Sequence, residues 1–300
     1  MTVTSSSSPS TPRATPRRDS DRAWRVGLLL ASAAAATVAA FAMRRLPQAR
    51  GYLEFVDERQ MLGVPNGLNV LSNLAFLVVG LAGMTALLRG PRLRDPRERA
   101  PWLVFFAGVV LTSAGSAWFH LVPSLDSLVW DRLPMAVGFM GLLAALVGER
   151  VDAAWGRRLL WPLVGVGLAS VAYWHLTERA GVGDLRPYLL VQFYPLVALP
   201  LLLLLFPARY TGAPAYLVAL AAYVAAKVTE FEDGAVYGLG GLMSGHTLKH
   251  LLAAAGIAVI AWMLYRRRPL ENGQAVCKGA SPAEAVRGAR APGREPSSAT

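Results

Sequence analysis

The sequence predicts an all-α integral membrane protein with a seven-transmembrane-helix core and one extra N-terminal transmembrane helix. Hydrophobic residues make up 54% of the 300 residues and charged residues only 16%, whereas roughly a quarter of a typical soluble domain is charged. The apolar residues also occur in runs of about 20, the length that a helix needs to cross a bilayer. These runs are far too long for the strands of a membrane barrel.

The two ends of the chain are polar. Residues 1–22 are rich in Ser, Thr, Pro and Arg and are expected to form a disordered basic tail. Residues 23–45 are predicted to form the extra transmembrane helix or signal anchor, with a cleaved signal as the alternative because Ala40-Phe-Ala42 has the pattern of a cleavage site. Residues 269–300 are predicted to form a disordered cytoplasmic tail. That tail holds the only cysteine, Cys277, which excludes an intrachain disulfide and a cysteine-ligated metal in the core.

Residues 46–268 are predicted to form the seven-helix membrane domain. Each apolar segment is close to the length of one crossing. Together with the first apolar segment, the seven core segments give eight crossings. The approximate bounds of the seven core segments are 67–88, 101–121, 128–148, 158–177, 187–206, 212–231 and 244–265.

Arginines in the connecting loops predict the orientation. The loops after the second and fourth apolar segments carry several arginines, the loop after the sixth carries Arg209, and the stretch after the eighth opens with three arginines. Loops with such a positive bias stay in the cytoplasm. The loop 44–66 is an exception, since it carries four arginines on the opposite side. If the first helix is not cleaved, both termini are therefore expected in the cytoplasm, and the composition favours a bacterial inner membrane.

The net charge of +11 does not indicate a nucleic-acid partner. Most of the arginines lie in tails and short loops, where they set membrane orientation. The sequence has no basic patch interleaved with aromatic residues, as proteins that bind single strands have. The expected partners are instead the lipid bilayer and a membrane lipid substrate.

Five polar residues mark the ends of three apolar segments. Ser116 and His120 lie at the end of the third segment, Asp131 near the start of the fourth, and His246 and His250 at the start of the eighth. In the predicted orientation all five fall at one depth, toward the extracytoplasmic leaflet. Ionisable groups in a membrane are expensive and are therefore candidates for function.

The spacing of these residues favours a zinc site. Residues four apart share a helix face, so His246 and His250 can bind one ion, and His120 can complete a three-histidine site. Such a site leaves one position for a water, whose pKa Zn²⁺ lowers to about 7. Asp131 can accept a proton from that water, and Ser116 can hydrogen-bond a developing oxyanion. For each histidine taken alone, ordinary packing is the alternative.

Other polar residues of the apolar segments favour structural roles. His175 and Glu178 are expected to form a hydrogen-bonded pair at the membrane interface. Lys227 and Glu230 are three apart and predict an ion pair on one helix face. Lys249 is expected to extend toward the outer surface, with an anionic lipid headgroup as a weaker alternative partner.

The polar residues occur in an ordered set of motifs that resembles the alkaline ceramidases. These belong to a superfamily of seven-helix membrane hydrolases that includes the adiponectin and progestin receptors. The resemblance covers roughly residues 52–266. It is carried by Ser116-x-x-x-His120, Asp131-x-Leu-Pro-Met135 and His246-x-x-x-His250, with Asn69-Val-Leu-Ser72-Asn73 similar to the first helix of that family.

The resemblance implies a function and a set of roles. His120, His246 and His250 would bind zinc, with Asp131 and Ser116 as catalytic residues. The reaction would be hydrolysis of the amide bond of a ceramide-like N-acyl lipid to a long-chain base and a fatty acid. Zinc-bound water would be the nucleophile.

The resemblance also raises the question of a calcium site. Animal ceramidases bind calcium through acidic residues before and at the start of the first core helix. The candidates here are Glu54, Asp57, Glu58 and Asn66, because Ca²⁺ prefers oxygen ligands, although Asn66 stands where a glutamate is expected. A solvated loop is the alternative interpretation of this stretch.

Two other functions remain open from the sequence. One is a seven-helix receptor or lipid-binding protein in which the zinc site is structural. The other is a transporter with the histidines and Asp131 on an ion path. A transporter predicts inverted repeats and broken helices near the midplane, and the sequence shows no convincing repeat.

Overall fold

The computed structural model describes residues 16–90 and 93–271, which form helices and no β-strand. Seven helical spans in these residues are long and apolar enough to cross a membrane, which confirms an all-α, multi-pass membrane protein. The α-helices of the described residues are α1 (Pro16–Ala42), α2 (Gly67–Leu71), α3 (Leu74–Leu88), α4 (Arg99–Leu121), α5 (Leu125–Arg150), α6 (Ala153–Arg179), α7 (Arg186–Leu205), α8 (Pro214–Phe231), α9 (Asp233–Gly238) and α10 (Gly245–Arg266).

The helices follow the predicted core segments closely. The segment 67–88 is divided into α2 and α3 at Ser72 and Asn73. Helix α8 lies within the predicted segment 212–231 but is not among the seven spans. Its 18 residues include Lys227 and Glu230, which lower its hydropathy. Because α8 packs along α10, it still belongs to the bundle.

Helix α1 is the predicted additional helix and lies on the outside of the bundle. No residue of its apolar span is buried. It contacts α7, where the Tyr194 hydroxyl donates to the carbonyl of Leu29 at 3.1 Å. It begins at Pro16, and proline is favoured at a first helical position. The expectation of a disordered tail over 1–22 is therefore wrong for residues 16–22, and residues 1–15 lie outside the described range.

The start of the C-terminal tail is also ordered. The backbone nitrogen of Leu270 donates to the carbonyl of Arg209 at 2.9 Å, and that of Thr211 donates to Arg268 at 2.9 Å. Residues 269–271 therefore pack against the connection between α7 and α8, contrary to the predicted disorder. Residues 272–300, including Cys277, lie outside the described range.

Serine side chains set the starts of the two helices that matter most for the site. Ser124 caps α5 in a capping box with Ser127, and the Ser244 hydroxyl accepts from the backbone nitrogen of Thr247 at the start of α10. Such caps satisfy backbone donors that have no partner within the helix. They fix where the first turns of α5 and α10 begin.

Glycines allow α4 and α5 to approach closely. A Cβ added to Gly108 would lie 2.5 Å from the backbone nitrogen of Gly138, and a Cβ on Gly115 would overlap the carbonyl oxygen of Trp130. Pro134 also permits this approach. It has no N–H to donate to the carbonyl of Trp130, four residues earlier in α5. The contact places the end of α4 beside the start of α5, the two helices that carry much of the predicted site.

The arginine-rich connections and the predicted site lie at opposite ends of the bundle. At one end, Arg209 donates to the carbonyl of Gly148 at 3.4 Å, Arg267 is ion-paired with Glu149, and Arg22 lies 3.7 Å from Asp152. We call this end, formed by the arginine-rich connections, the arginine end. The opposite end, formed by the end of α4 and the starts of α5 and α10, is called the histidine end.

The close contact of α4 with α5 predicts a destabilising substitution. Gly108→Ala should lower the midpoint of thermal unfolding in detergent, because overpacking a tight contact costs about 1–3 kcal/mol. Gly165→Ala is the matched control, since an added Cβ there meets no atom within 4 Å and alanine is the better helix former. A midpoint for Gly108→Ala at or above that of Gly165→Ala would contradict the proposed packing.

Candidate metal centre

Three histidines meet at the histidine end. His120 comes from the last turn of α4, and His246 and His250 from the first two turns of α10. Each can present one ring nitrogen such that these atoms lie within 4.8 Å of one another. All three side chains are buried. Among the described residues, His120, His246 and His250 are the His, Cys, Asp or Glu side chains that lie close enough together to share a metal ion.

The spacing of the ring nitrogens fits a tetrahedral ion. Nε2 of His120 lies 3.2 Å from Nε2 of His246, and two nitrogens bound to zinc at about 2.0–2.1 Å are about 3.3 Å apart. The other ring nitrogen of His120, Nδ1, is buried and has no partner among the described residues. Three imidazoles without a thiolate suit zinc and similar divalent transition metals. The residues present therefore fit such an ion.

Ser72 sets the tautomer of His250. The Ser72 hydroxyl lies 2.8 Å from Nδ1 of His250 and donates to the carbonyl of Asn69 at 3.1 Å. Since its proton goes to that carbonyl, the hydroxyl accepts from Nδ1–H of His250. The lone pair of Nε2 is then free to bind a metal, as is usual when the second nitrogen of a metal ligand is hydrogen-bonded.

A buried polar network joins this serine to the surrounding helices. The Thr247 hydroxyl donates to Oδ1 of Asn69 at 2.7 Å, and Nδ2 of Asn73 donates to the carbonyl of Asn69 at 2.8 Å. The Ser113 hydroxyl donates to the carbonyl of Asn73 at 2.8 Å. Helix α2 is thereby tied to both α4 and α10, the helices that carry the histidines.

The connection between α1 and α2 covers the histidines. The ring centroid of Phe55 lies 4.8 Å from that of His120 and 5.5 Å from that of His246. Nδ2 of Asn66 donates to the backbone carbonyl of His120 at 2.9 Å. These contacts limit access of water to the histidines from the end of the bundle.

Ser116 and Asp131 lie in the same site. Both are buried, their side chains are neighbours, and both line one cavity together with His250. The structure thus brings together the five polar residues that the sequence places at one depth. Of the three histidines, His250 lines that cavity, and His120 and His246 do not.

The cavity is long, mostly apolar and polar at one end. Its volume is about 350 Å³, within the usual range for small-molecule sites. It extends along α10 from His250 to Ile260, and ten helical residues correspond to about 15 Å. Phe105 and Leu199 also line the apolar part. The shape suits an amphiphile with a long apolar chain.

One predicted ion pair is confirmed and a second ion pair was missed. Nζ of Lys227 lies 2.6 Å from Glu230, as expected. Lys249 was predicted to extend to the surface, which is wrong: its Nζ lies 2.6 Å from the same carboxylate, and the lysine lines the cavity. The reason is that Glu230 on α8 faces α10 within the bundle and offers a charged partner closer than the solvent.

The expected pair of His175 and Glu178 is also not formed. Nε2 of His175 lies 3.4 Å from Oδ1 of Asp126 on α5. Glu178 instead accepts from the backbone nitrogen of Gln48 at 2.9 Å. Both residues have partners from distant parts of the chain, which spacing along a single helix does not reveal.

The candidate calcium ligands do not form an acidic cluster in the described residues. Glu54 and Glu58 are exposed, whereas Asp57 is buried. Arg59 donates to both oxygens of Asp57 at 2.8 Å, and these hydrogen bonds lower the pKa of Asp57 below its usual range. The Asn66 amide is used by His120, as described above. The alternative of a solvated loop fits Glu54 and Glu58 but not Phe55 and Asp57, which are buried.

Sequence reasoning did not assign roles to several residues of the site. Ser72 occurs in a stretch that the resemblance singled out, and its role follows only from its contact with His250. Phe55 and Arg132 gave no signal, because an aromatic residue in a loop and an arginine near a helix start are common. Their placement depends on tertiary packing.

Comparison with known proteins leaves the function to be argued from the site. No family model, curated protein or solved structure matches this chain. The resemblance to the alkaline ceramidases therefore stays an expectation from the motif residues.

Ser72→Ala should weaken metal binding about 10–100-fold, the usual cost of removing a partner that orients a metal-binding histidine. The measurement is a competition titration of the purified protein with a chromophoric zinc chelator. Ser170→Ala is the control, because Ser170 is also buried and its hydroxyl donates to the carbonyl of Gly167 in its own helix at 2.7 Å. Equal metal affinities for the two variants would contradict the role assigned to Ser72.

Proposed function

We propose that this protein is a zinc-dependent membrane hydrolase that cleaves the amide bond of a ceramide-like N-acyl lipid. The products are a long-chain base and a fatty acid. One observation carries the proposal: three buried histidines form a cluster, and one of them, His250, lines a long apolar cavity together with Asp131 and Ser116. An N-acyl lipid has the matching form, with one reactive amide at the head of a long chain.

The chain supplies the acid–base and oxyanion groups for this reaction. Zinc bound by the three histidines would supply a Lewis acid and an activated water at neutral pH. Asp131 is placed to accept a proton and to return it to the leaving nitrogen. Ser116, beside Asp131, is placed to donate a hydrogen bond to the negative charge on the carbonyl oxygen. Water adds to the acyl carbon, the C–N bond breaks, and the amine leaves with a proton.

The apolar part of the cavity holds the acyl chain. Phe105, Leu199 and Ile260 line it, and burying each methylene of a chain there is worth about 0.8 kcal/mol. The bound acyl chain holds the carbonyl group of the lipid beside His250 and Asp131. Binding energy from a part of the lipid that does not react thereby positions the part that does.

The arginine end faces the cytoplasm in this proposal. Arginine-rich connections are retained on that side, and they meet at one end of the bundle. Both termini are then cytoplasmic, and the histidine end lies at the extracytoplasmic leaflet of a bacterial inner membrane. The lipid substrate enters from that leaflet.

A lipid-binding or receptor-type protein with a structural zinc ion is the second candidate. The observation in its favour is that His120 and His246 contact Phe55 and do not line the cavity. An ion held there could stabilise α4 against α10 without turnover. The two candidates differ in activity and agree on the metal.

The test is release of fatty acid from a panel of N-acyl lipids by the purified protein in detergent, with bound zinc measured in parallel. Asp131→Asn should lower kcat by about 10²–10⁴-fold, the usual contribution of a general acid–base group, while zinc content stays unchanged. His246→Ala should lose both zinc and activity. Asp126→Asn is the matched control, since Asp126 is on the same helix, is exposed and pairs with Arg179.

Two outcomes would contradict the proposal. Full zinc occupancy without release of fatty acid from any lipid of the panel would favour the structural-zinc candidate. An Asp131→Asn variant as active as Asp126→Asn would remove Asp131 from the reaction.

A further inference from the structure

The polar end of the cavity carries an excess of positive charge. Three cationic side chains and two acidic ones line the cavity, an excess of one positive charge when both carboxylates are ionised. Lys227 and Lys249 share the single carboxylate of Glu230. The cationic residues are Arg132, Lys227 and Lys249, and the acidic residues are Asp131 and Glu230.

Arg132 is the cavity cation that has no ion pair with a carboxylate among the described residues, whereas Lys227 and Lys249 both pair with Glu230. It is 5% exposed, and its Nη2 donates to Oε1 of Gln48 at 2.6 Å. Its Nη1 is buried and has no hydrogen-bond partner in the described part of the chain. A buried charged donor without a partner is costly, so an acceptor that the protein itself does not provide would stabilise this arrangement.

Aromatic rings hold the guanidinium in place. The Cζ atom of Arg132 lies 4.1 Å from the ring centroid of Trp174, 4.9 Å from that of Tyr188 and 5.6 Å from that of Tyr52. Such contacts use the faces of rings and favour a fixed cation. They leave N–H groups at the edge of the guanidinium, whose planar fork matches carboxylate and phosphate oxygens.

Tyr52 connects Arg132 with the lysine cluster. Nζ of Lys249 lies 5.9 Å from the centroid of the same Tyr52 ring, and the Tyr52 hydroxyl donates to Glu230 at 3.3 Å. Arg132 and Lys249 therefore flank one tyrosine on the wall of the cavity that holds Asp131. An anion bound there would lie beside the proposed reaction site.

We propose that Arg132 and Lys249 form an anion subsite, and that the substrates are N-acyl amphiphiles with a carboxylate or phosphate on the amine side of the amide. The inference rests on the hydrolase proposal and changes the amine side of the substrate from a neutral long-chain base to a group that carries a carboxylate or phosphate. The acyl chain occupies the apolar part of the cavity and the carbonyl lies near His250, so the amine side lies at the polar end. A neutral ceramide headgroup would leave the charge of Arg132 without a partner.

Binding measured without turnover tests the subsite. The full-length protein in a neutral detergent is titrated with N-palmitoylglycine, with its methyl ester and with N-palmitoyl phosphoethanolamine, using tryptophan fluorescence because Trp174 touches Arg132. The two anionic probes should bind about tenfold or more tightly than the neutral ester, as expected for charge-assisted hydrogen bonds. The two anionic probes show whether the subsite prefers carboxylate or phosphate.

Substitutions locate the preference. Arg132→Gln and Lys249→Gln should each weaken binding of the anionic probes about tenfold, and leave binding of the ester within about twofold. Arg179→Gln is the matched control, because it removes the same charge from an exposed arginine outside the cavity. The acid and ester comparison on the unmodified protein needs no variant, so the proposal is decided even if a variant does not fold.

Two results would overturn the subsite. One is equal affinity of the unmodified protein for N-palmitoylglycine and its methyl ester. The other is an unchanged preference for the acid in both Arg132→Gln and Lys249→Gln. Since no amide needs to be cleaved, loss of the hydrolase proposal leaves this test intact. Conversely, cleavage of neutral ceramide together with equal binding of anionic and neutral probes would support the hydrolase proposal and contradict the anion subsite.

Discussion

The contact between two imidazole nitrogens is the interaction on which the rest of the site depends. Nε2 of His120 and Nε2 of His246 face each other at 3.2 Å in a buried position. Two lone pairs at that distance repel unless a proton or a cation lies between them. A bound divalent ion removes the repulsion, and its binding energy then contributes to folding. The glycine contacts of α4 with α5 and the cap of α10 position these two histidines, and the hydroxyl of Ser72 orients the third, His250.

The cavity next to the histidines has two chemically different halves. Apolar side chains of several helices line about 15 Å of its length, while charged groups gather at the histidine end. Charges in a low-dielectric interior are costly unless they are paired. Glu230 pairs with two lysines, whereas Arg132 keeps an unpartnered N–H. Such a division favours a ligand with a long chain and a polar, acidic head over an ion or a small polar solute.

The sequence predicts the helices and the histidine cluster well, for a physical reason. Length and hydropathy are set by the bilayer, and loop arginines place residues by depth. Ser116, His120, Asp131, His246 and His250 could therefore be grouped before their contacts were known.

Contacts between distant helices were not predictable in the same way. Lys249 was expected at the surface because its partner Glu230 lies 19 residues away on another helix. Spacing alone suggested a pair of His175 and Glu178, but His175 contacts Asp126 on α5 and Glu178 contacts Gln48 in the loop 44–66. The cover by Phe55, the tautomer set by Ser72 and the aromatic contacts of Arg132 all depend on tertiary packing.

The three-histidine metal site can be examined by X-ray absorption at the zinc edge of the purified protein. We expect three nitrogen ligands and one oxygen ligand at about 2.0–2.1 Å, with the nitrogen signal lost in His120→Ala. Absence of bound metal, or an unchanged spectrum in that variant, would contradict it.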